Sequence, residues 1–202
     1  MKIATWNIER PSNTSKRIPS IVNYLKNINA DIFILTETNE FVNLGEDYKS
    51  FHTSKPTNTF YQDKQILYKD GEIRVSIFSK YNCVGELATF RSDTSICKIF
   101  TTPHGELAVY GTIVGIFGNR QKDFITELDL QIIDFNKIAS THNLCIAGDL
   151  NMSFSDNYYF TKEGREKLNK AFDASGLINQ TACIPHNIDH IIYQSILLQI
   201  GK

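Results

Sequence analysis

Two periods govern the placement of apolar residues along this chain. Residues 2–8 (Lys-Ile-Ala-Thr-Trp-Asn-Ile) read as a strand that opens the fold directly. Residues 31–36 (Asp-Ile-Phe-Ile-Leu-Thr) form a continuous apolar run of strand length, the pattern of a strand covered on both faces. Between them Ile18, Ile21, Val22, Leu25 and Ile28 recur at helical spacing over 18–28, which predicts one apolar helix face. Pro19 falls in that helix's first turn, where a missing N–H costs little. Strand, helix, strand in this order predicts a right-handed crossover joining two parallel neighbours. The stretch 40–63 is polar, aromatic and irregular and reads as a long surface excursion. Short strands are expected at 64–69, 72–79, 86–90, 95–102 and 107–114, with Asp70-Gly71 and His104-Gly105 marking turns. Residues 122–140 give a second amphipathic helix, with Phe124, Ile125, Leu128, Ile132, Phe135 and Ala139 on one side. A buried strand at 143–147 ends abruptly at Gly148-Asp149, a short charged helix follows near 161–174, and a last strand lies at 188–193. Helices interleaved with strands, and an antiparallel stretch in the middle, predict an α/β sandwich of two mixed β-sheets flanked by helices.

Composition narrows the class without changing the fold. At 202 residues with 42% hydrophobic positions, the chain suits one domain spanning 1–202 and can bury roughly 70% of its unfolded surface. No apolar run approaches the ~20 residues of a bilayer crossing, so no membrane span is expected. The 21 Lys and Arg against 22 Asp and Glu give a net charge of -1, without the basic excess of a dedicated nucleic-acid binder. Cys83, Cys97, Cys145 and Cys183 form no Cys-x-x-Cys pair and read as free thiols, mostly buried, in a reducing cytoplasm. No protein partner is indicated.

Candidate chemistry collects at strand ends, where open α/β sheets bind ligands. The first strand ends at Asn7, the second at Glu37, the third buried run at Asp149 followed by Asn151, and the last carries Asp189. Any one of these has an ordinary reading as a turn or cap; four together point to a site. Hard oxygen donors suit Mg²⁺, which takes one or two carboxylates and keeps waters for a phosphate, and Glu37 with the Asn7 amide would form such a sparse site. Zinc is a poor fit, because His186 and His190 on a strand would stand roughly 13 Å apart. The chain has no Gly-x-x-x-x-Gly-Lys loop and no Gly-x-Ser-x-Gly elbow, so ATP-driven and serine-hydrolase chemistry lose their simplest support.

Four segments carry a resemblance: Thr5-Trp6-Asn7-Ile8, Asp31-Ile-Phe-Ile-Leu-Thr-Glu37, Gly148-Asp149-Leu150-Asn151 and Ile188-Asp189-His190-Ile191. In order and approximate spacing they are similar to the endonuclease/exonuclease/phosphatase superfamily, and Val75-Ser-Ile-Phe-Ser-Lys80 resembles its strand ending in Ser-Lys or Ser-Arg. The resemblance runs from residue 2 to about 193. It implies the deoxyribonuclease-I-like four-layer sandwich and Mg²⁺-dependent (or Mn²⁺-dependent) hydrolysis of phosphodiesters or phosphomonoesters, on substrates from DNA to inositol lipids to sphingomyelin. It further implies Glu37 as main metal ligand with Asn7 beside it, and Asp149 orienting and helping to deprotonate the attacking water. Asn151 would donate to phosphoryl oxygens, and Asp189 would orient a catalytic histidine.

Two departures shape the expectation. The family's terminal Ser-Asp-His motif is absent before the chain stops at Lys202, so a C-terminally shortened domain lacking its last strand is expected, with Ile196, Leu197, Leu198 and Ile200 covering a bare sheet edge. Over 107–120, Tyr110 reads as a core tyrosine and Arg120 as a solvated loop residue, with a phosphate contact for Asn119 or Arg120 the lesser alternative. The leading reading is a metal-dependent, nuclease-like phosphoesterase whose partner is a phosphoester, nucleic acid among the candidates. The rival is a weakly active or non-catalytic phosphate-binding or protein-interaction module. A nucleic-acid scaffold is a third reading, against which the balanced charge speaks.

Overall fold

The computed structural model describes residues 1–56, 59–61, 64–120 and 122–194. Strand β1 (Ile3–Asn7), helix α1 (Arg17–Ile28) and strand β2 (Ile32–Asn39) open the chain, and β1 pairs with β2 in parallel. There follow β3 (Lys49–His52), the small hairpin β4 (Thr59–Tyr61) and β5 (Lys64–Ile66), then β6 (Glu72–Ser79), β7 (Asn82–Leu87), β8 (Ser95–Thr102) and β9 (Gly105–Ile113). Helix α2 (Phe124–Ala139), β10 (Leu144–Asp149), α3 (Lys162–Ala174), β11 (Leu177–Asn179) and β12 (Asp189–Gln194) complete the described chain.

The strands form two mixed sheets, ordered β1-β2-β6-β3 and β11-β12-β10-β9-β8-β7. Period-two alternation then assigns every layer. On β2, Ile32 and Ile34 point inward with Val75 and Ile77 of β6, and meet Val109, Ile113, Cys145 and Ala147 of the second sheet. The alternate residues Phe33 and Leu35 point outward onto Ile21 and Leu25 of α1. On the far side, Leu144, Ile146 and Tyr110 face Leu128 and Phe135 of α2 and Leu168 and Phe172 of α3. The layers are therefore α1, sheet, sheet, and α2 with α3. Gly111 sits between the sheets, where an added Cβ would lie 3.0 Å from Val75 Cγ1; its missing side chain sets how closely the two inner faces approach.

The strand and helix expectations hold for most elements, with three differences. The 40–63 excursion contains β3, an edge strand paired with β6. The strand expected at 86–90 lies at Asn82–Leu87, with a register shift between Cys83 and Gly85. The short β11 has no counterpart in the sequence reading. Cys97 and Cys145 are buried while Cys183 is exposed, and none is in a disulfide. Among the described residues, no helix is long and apolar enough to cross a membrane. The 196–200 tail lies outside the described residues.

Candidate functional site

The two sheets bring their strand ends to one place. The β1–β2 register pairs Asn7 with Thr36, so Glu37 stands one residue beyond Asn7 at the same end of the first sheet. In the second sheet β10 and β12 pair Asp149 directly with Asp189, which puts both carboxylates on one face. Asn7 joins the sheets: its Nδ2 donates to Asp149 Oδ2 at 3.0 Å, and its backbone N–H lies 3.4 Å from Asp189 Oδ2. Three residues up to 182 positions apart in sequence thus share one hydrogen-bonded cluster.

Local backbone geometry is strained around this cluster. Six described non-glycine residues have left-handed φ, and four of them, Glu9, Arg10, Glu37 and Asn151, adjoin it. Such outliers persist where the surroundings over-determine them, and they gather at functional sites. Glu37 interrupts β2 at φ 47, and Arg10 N–H donates to its carbonyl at 2.7 Å. The Arg10 guanidinium makes a two-point contact with Glu72, 2.8 and 3.0 Å. Just before Asp149, Gly148 has φ 138, and a Cβ there would meet the Thr112 carbonyl oxygen at 1.9 Å; only glycine lets β10 approach β9 that closely.

Burial and mutual repulsion dominate the electrostatics. Asp149 is 2% exposed, and its carboxyl is pushed up to about 7, first by burial and then by the charge of Asp189. Asp189 is raised to about 6 by burial and by Glu37, against the opposing Asn7 N–H. Glu37 is itself raised by burial, an effect eased by the Asn7 amide and Arg10. Asp189 Oδ1 is buried with no hydrogen-bond partner. Carboxylates crowded so that Glu37 raises Asp189 and both raise Asp149, with one buried oxygen unsatisfied, fit a hard divalent cation. The set is sparse: among the described residues no three His, Cys, Asp or Glu side chains are grouped closely enough to hold an ion alone.

The remaining candidates divide. Asn7 Oδ1, the atom expected to assist Glu37, accepts from Glu9 N–H at 2.9 Å, which leaves one lone pair. Asn151 braces Asp149 through its backbone N–H, 2.8 Å from Oδ1. Its amide hydrogens go to the carbonyls of Val114 (2.8 Å) and Gly115 (3.1 Å), so in this conformation they are not offered to a phosphoryl oxygen. His190 is turned into the core, fully buried, with Nε2 2.8 Å from Met152 O and Nδ1 2.9 Å from Thr181 Oγ1. His186 lies outside the strand in a left-handed turn, exposed against Tyr158. Neither histidine is oriented by the Asp189 side chain. Tyr110 is a core tyrosine that donates to Asp134 at 2.9 Å, and Arg120 is exposed. Asn119 is buried and donates to the Asn151 carbonyl at 2.7 Å. Sequence reasoning did not single out Tyr159, whose hydroxyl accepts the Asn119 backbone N–H and feels the charges of Asp149 and Arg120; an aromatic in a polar loop beside the Gly-Asp-Leu-Asn segment was the available signal.

No protein-family model matches the sequence, and no curated protein does. Solved structures match over nearly the whole chain. An endonuclease/exonuclease/phosphatase from Beutenbergia cavernae DSM 12333 superposes with TM-score 0.67 and 12% identity over 96% of this chain. The chain spans 64% of that protein's length. An AP endonuclease from Archaeoglobus fulgidus matches with TM-score 0.67 and 16% identity, covering 96% of this chain and 86% of its own. An AP endonuclease from Leishmania major gives TM-score 0.70 and 13% identity, covering 96% and 79%. Two mixed sheets between helix layers, with the same course over 96% of the chain, identify the fold as the deoxyribonuclease-I-like sandwich that these structures share.

Proposed function

We propose that the chain is a Mg²⁺-dependent phosphoesterase, nuclease-like in substrate, that cleaves by in-line attack of water. The observation that supports this most is the meeting of Asn7, Asp149 and Asp189 through hydrogen bonds across two sheets, with Glu37 beside them. Glu37 would hold the cation, with the Asn7 amide oxygen and the unsatisfied Asp189 Oδ1 within the same cluster. Bound Mg²⁺ supplies positive charge where a phosphoryl oxygen becomes more negative. Asp149 is the base: with its pKa near 7 it accepts a proton from the attacking water at neutral pH. The two hydrogen bonds from Asn7 and Asn151 fix its carboxylate, one on each oxygen. Asp189 sets the charge at Asp149 and therefore the pH at which that base works. Two of the structural neighbours are AP endonucleases, which makes nucleic acid the first substrate class to try.

The test is a hydrolysis panel with Mg²⁺ or Mn²⁺ on plasmid DNA, abasic oligonucleotides and a chromogenic phosphodiester. Asp149→Asn is expected to lower turnover by about 10²–10⁴-fold, the usual worth of a general base. Glu37→Ala is expected to abolish metal binding in calorimetry, and equal affinity in variant and wild type would remove Glu37 from the site. The rival, a weakly active phosphate-binding module, draws support from the Asn151 hydrogens being tied to backbone carbonyls; it predicts metal and phosphate binding with no turnover on any member of the panel.

A further inference from the structure

The cluster is rich in acceptors and short of donors. Asp149, Asp189 and Glu37 bring only acceptor oxygens when ionised. The Asn151 amide hydrogens are committed to Val114 and Gly115, and His190 is bonded into the core. A phosphoester in this cleft needs at least one aimed N–H or O–H for its developing negative charge.

We propose that the Tyr159 hydroxyl is that donor, contacting a non-bridging phosphoryl oxygen. The inference rests on the phosphoesterase reading above. The loop after β9 is closed by Gly118 N–H to Gly115 O at 2.6 Å, and it is tied to the end of β10 by Asn119 Nδ2 on the Asn151 carbonyl at 2.7 Å. Asn151 in turn bonds Asp149, so a continuous chain of hydrogen bonds runs from the loop to the base. Tyr159, in the segment between β10 and α3, packs its hydroxyl against this loop. Its hydroxyl accepts the Asn119 backbone N–H, and an added Cβ at Gly118, where φ is +90, would come within 2.1 Å of it. At its other end the Tyr159 carbonyl accepts Ser153 N–H at 2.6 Å. Tyr159 is therefore fixed at its hydroxyl by the 118–119 turn and at its backbone by Ser153. A phenol that accepts from an amide retains its own hydrogen to donate. Arg120, one residue beyond Asn119, adds positive charge at the same rim, and both Arg120 and Asp149 lie within electrostatic range of the hydroxyl. Gly118 is then glycine for two reasons, its left-handed backbone and the room it leaves for this oxygen.

The closing experiment compares wild type with Tyr159→Phe, which removes the hydroxyl and keeps the ring. On a chromogenic phosphodiester with saturating Mg²⁺, kcat is expected to fall about 10²-fold, the lower range for loss of one such donor, with KM changed by less than about threefold. Mn²⁺ affinity by calorimetry and the thermal midpoint are expected to stay at the wild-type values. A wild-type kcat in Tyr159→Phe overturns the proposal while leaving the phosphoesterase reading intact. A kcat loss accompanied by equal loss of Mn²⁺ affinity or of thermal stability also overturns it, since a loop brace would behave so. If wild type hydrolyses nothing, the phosphoesterase reading fails, and binding of inorganic phosphate with Mg²⁺ decides the donor role separately. Tenfold weaker phosphate binding in Tyr159→Phe supports the contact; equal binding, or none by either protein, overturns it.

Discussion

Asp149 and Asp189 face each other on neighbouring strands and cannot both ionise cheaply. Their carboxyls are raised to about 7 and about 6, burial being the first cause in each. A carboxyl whose folded pKa lies above its unfolded one contributes stability that is present below the unfolded value, near 4, and is lost as pH rises through the folded value. The cation-free protein is therefore expected to lose stability between about pH 4 and pH 7. Asp189→Asn removes one of the two charges and relieves the other. It is expected to be more stable than wild type by about 1–2 kcal/mol at pH 8 in EDTA, and nearly equal to it at pH 5. Urea titrations at the two pH values check this, and a variant no more stable than wild type at pH 8 contradicts the repulsion. His190 acts with the opposite sign. Burial lowers it to about 4, so its contribution is lost as pH falls from about 6.5 through 4, where only the unfolded chain binds the proton. The two effects act over the same pH range with opposite sign, so His190 offsets part of the loss caused by the two carboxyls.

The elements that carry the site depend on close approach as much as on burial. Gly148 shows this most clearly, since any Cβ would stand 1.9 Å from the Thr112 carbonyl of the adjacent strand. Gly148→Ala must push β10 away from β9 one residue before Asp149. It is expected to cost about 3 kcal/mol or more and to lower turnover further through misplacement of the base. A variant of wild-type stability in urea would show that the strand pair can yield. The elements themselves were legible where burial is two-sided: Asp31 to Thr36 and Asn143 to Ala147 are apolar runs that only a sandwiched strand explains. Edge strands were not. Lys49-Ser-Phe-His at β3 is half exposed and short, and the bulge at Cys83 and Gly85 breaks the alternation of β7. For the site, Asn7, Glu37, Asp149 and Asp189 stood out because polar residues end or interrupt apolar runs. The hydrogen-bond partners of Asn151, the inward turn of His190 and the position of Tyr159 did not, because each is decided by a residue more than five positions away.

At the scale of the whole molecule, the cleft is assembled from both sheets, with Asn7 and Glu37 on one and Asp149 and Asp189 on the other. The sheets are held together by the apolar contact of Ile34, Val75 and Ile77 with Val109, Cys145 and Ala147. No side chain of that core offsets the carboxylates at its end. A cation held by Glu37, with the Asn7 amide oxygen and Asp189 Oδ1 beside it and the Asp149 charge close by, would join the sheets where they repel, and a ligand that binds only the folded state stabilises it by about 2.7 kcal/mol at a hundred times its Kd. Protons compete for the same oxygens. At pH 5 the raised carboxyls of Asp149 and Asp189 carry protons, whereas at pH 8 both are ionised. Mg²⁺ is therefore expected to raise the thermal midpoint by several degrees at pH 8 and by much less at pH 5. Glu37→Ala should show neither shift, and Asp189→Asn should show a reduced shift at pH 8. Scans of the three proteins with Mg²⁺ and with EDTA, at both pH values, supply the comparison. A Mg²⁺ shift of equal size in Glu37→Ala would move the cation elsewhere on the molecule. A wild-type shift as large at pH 5 as at pH 8 would show that Asp149 and Asp189 take no part in holding it.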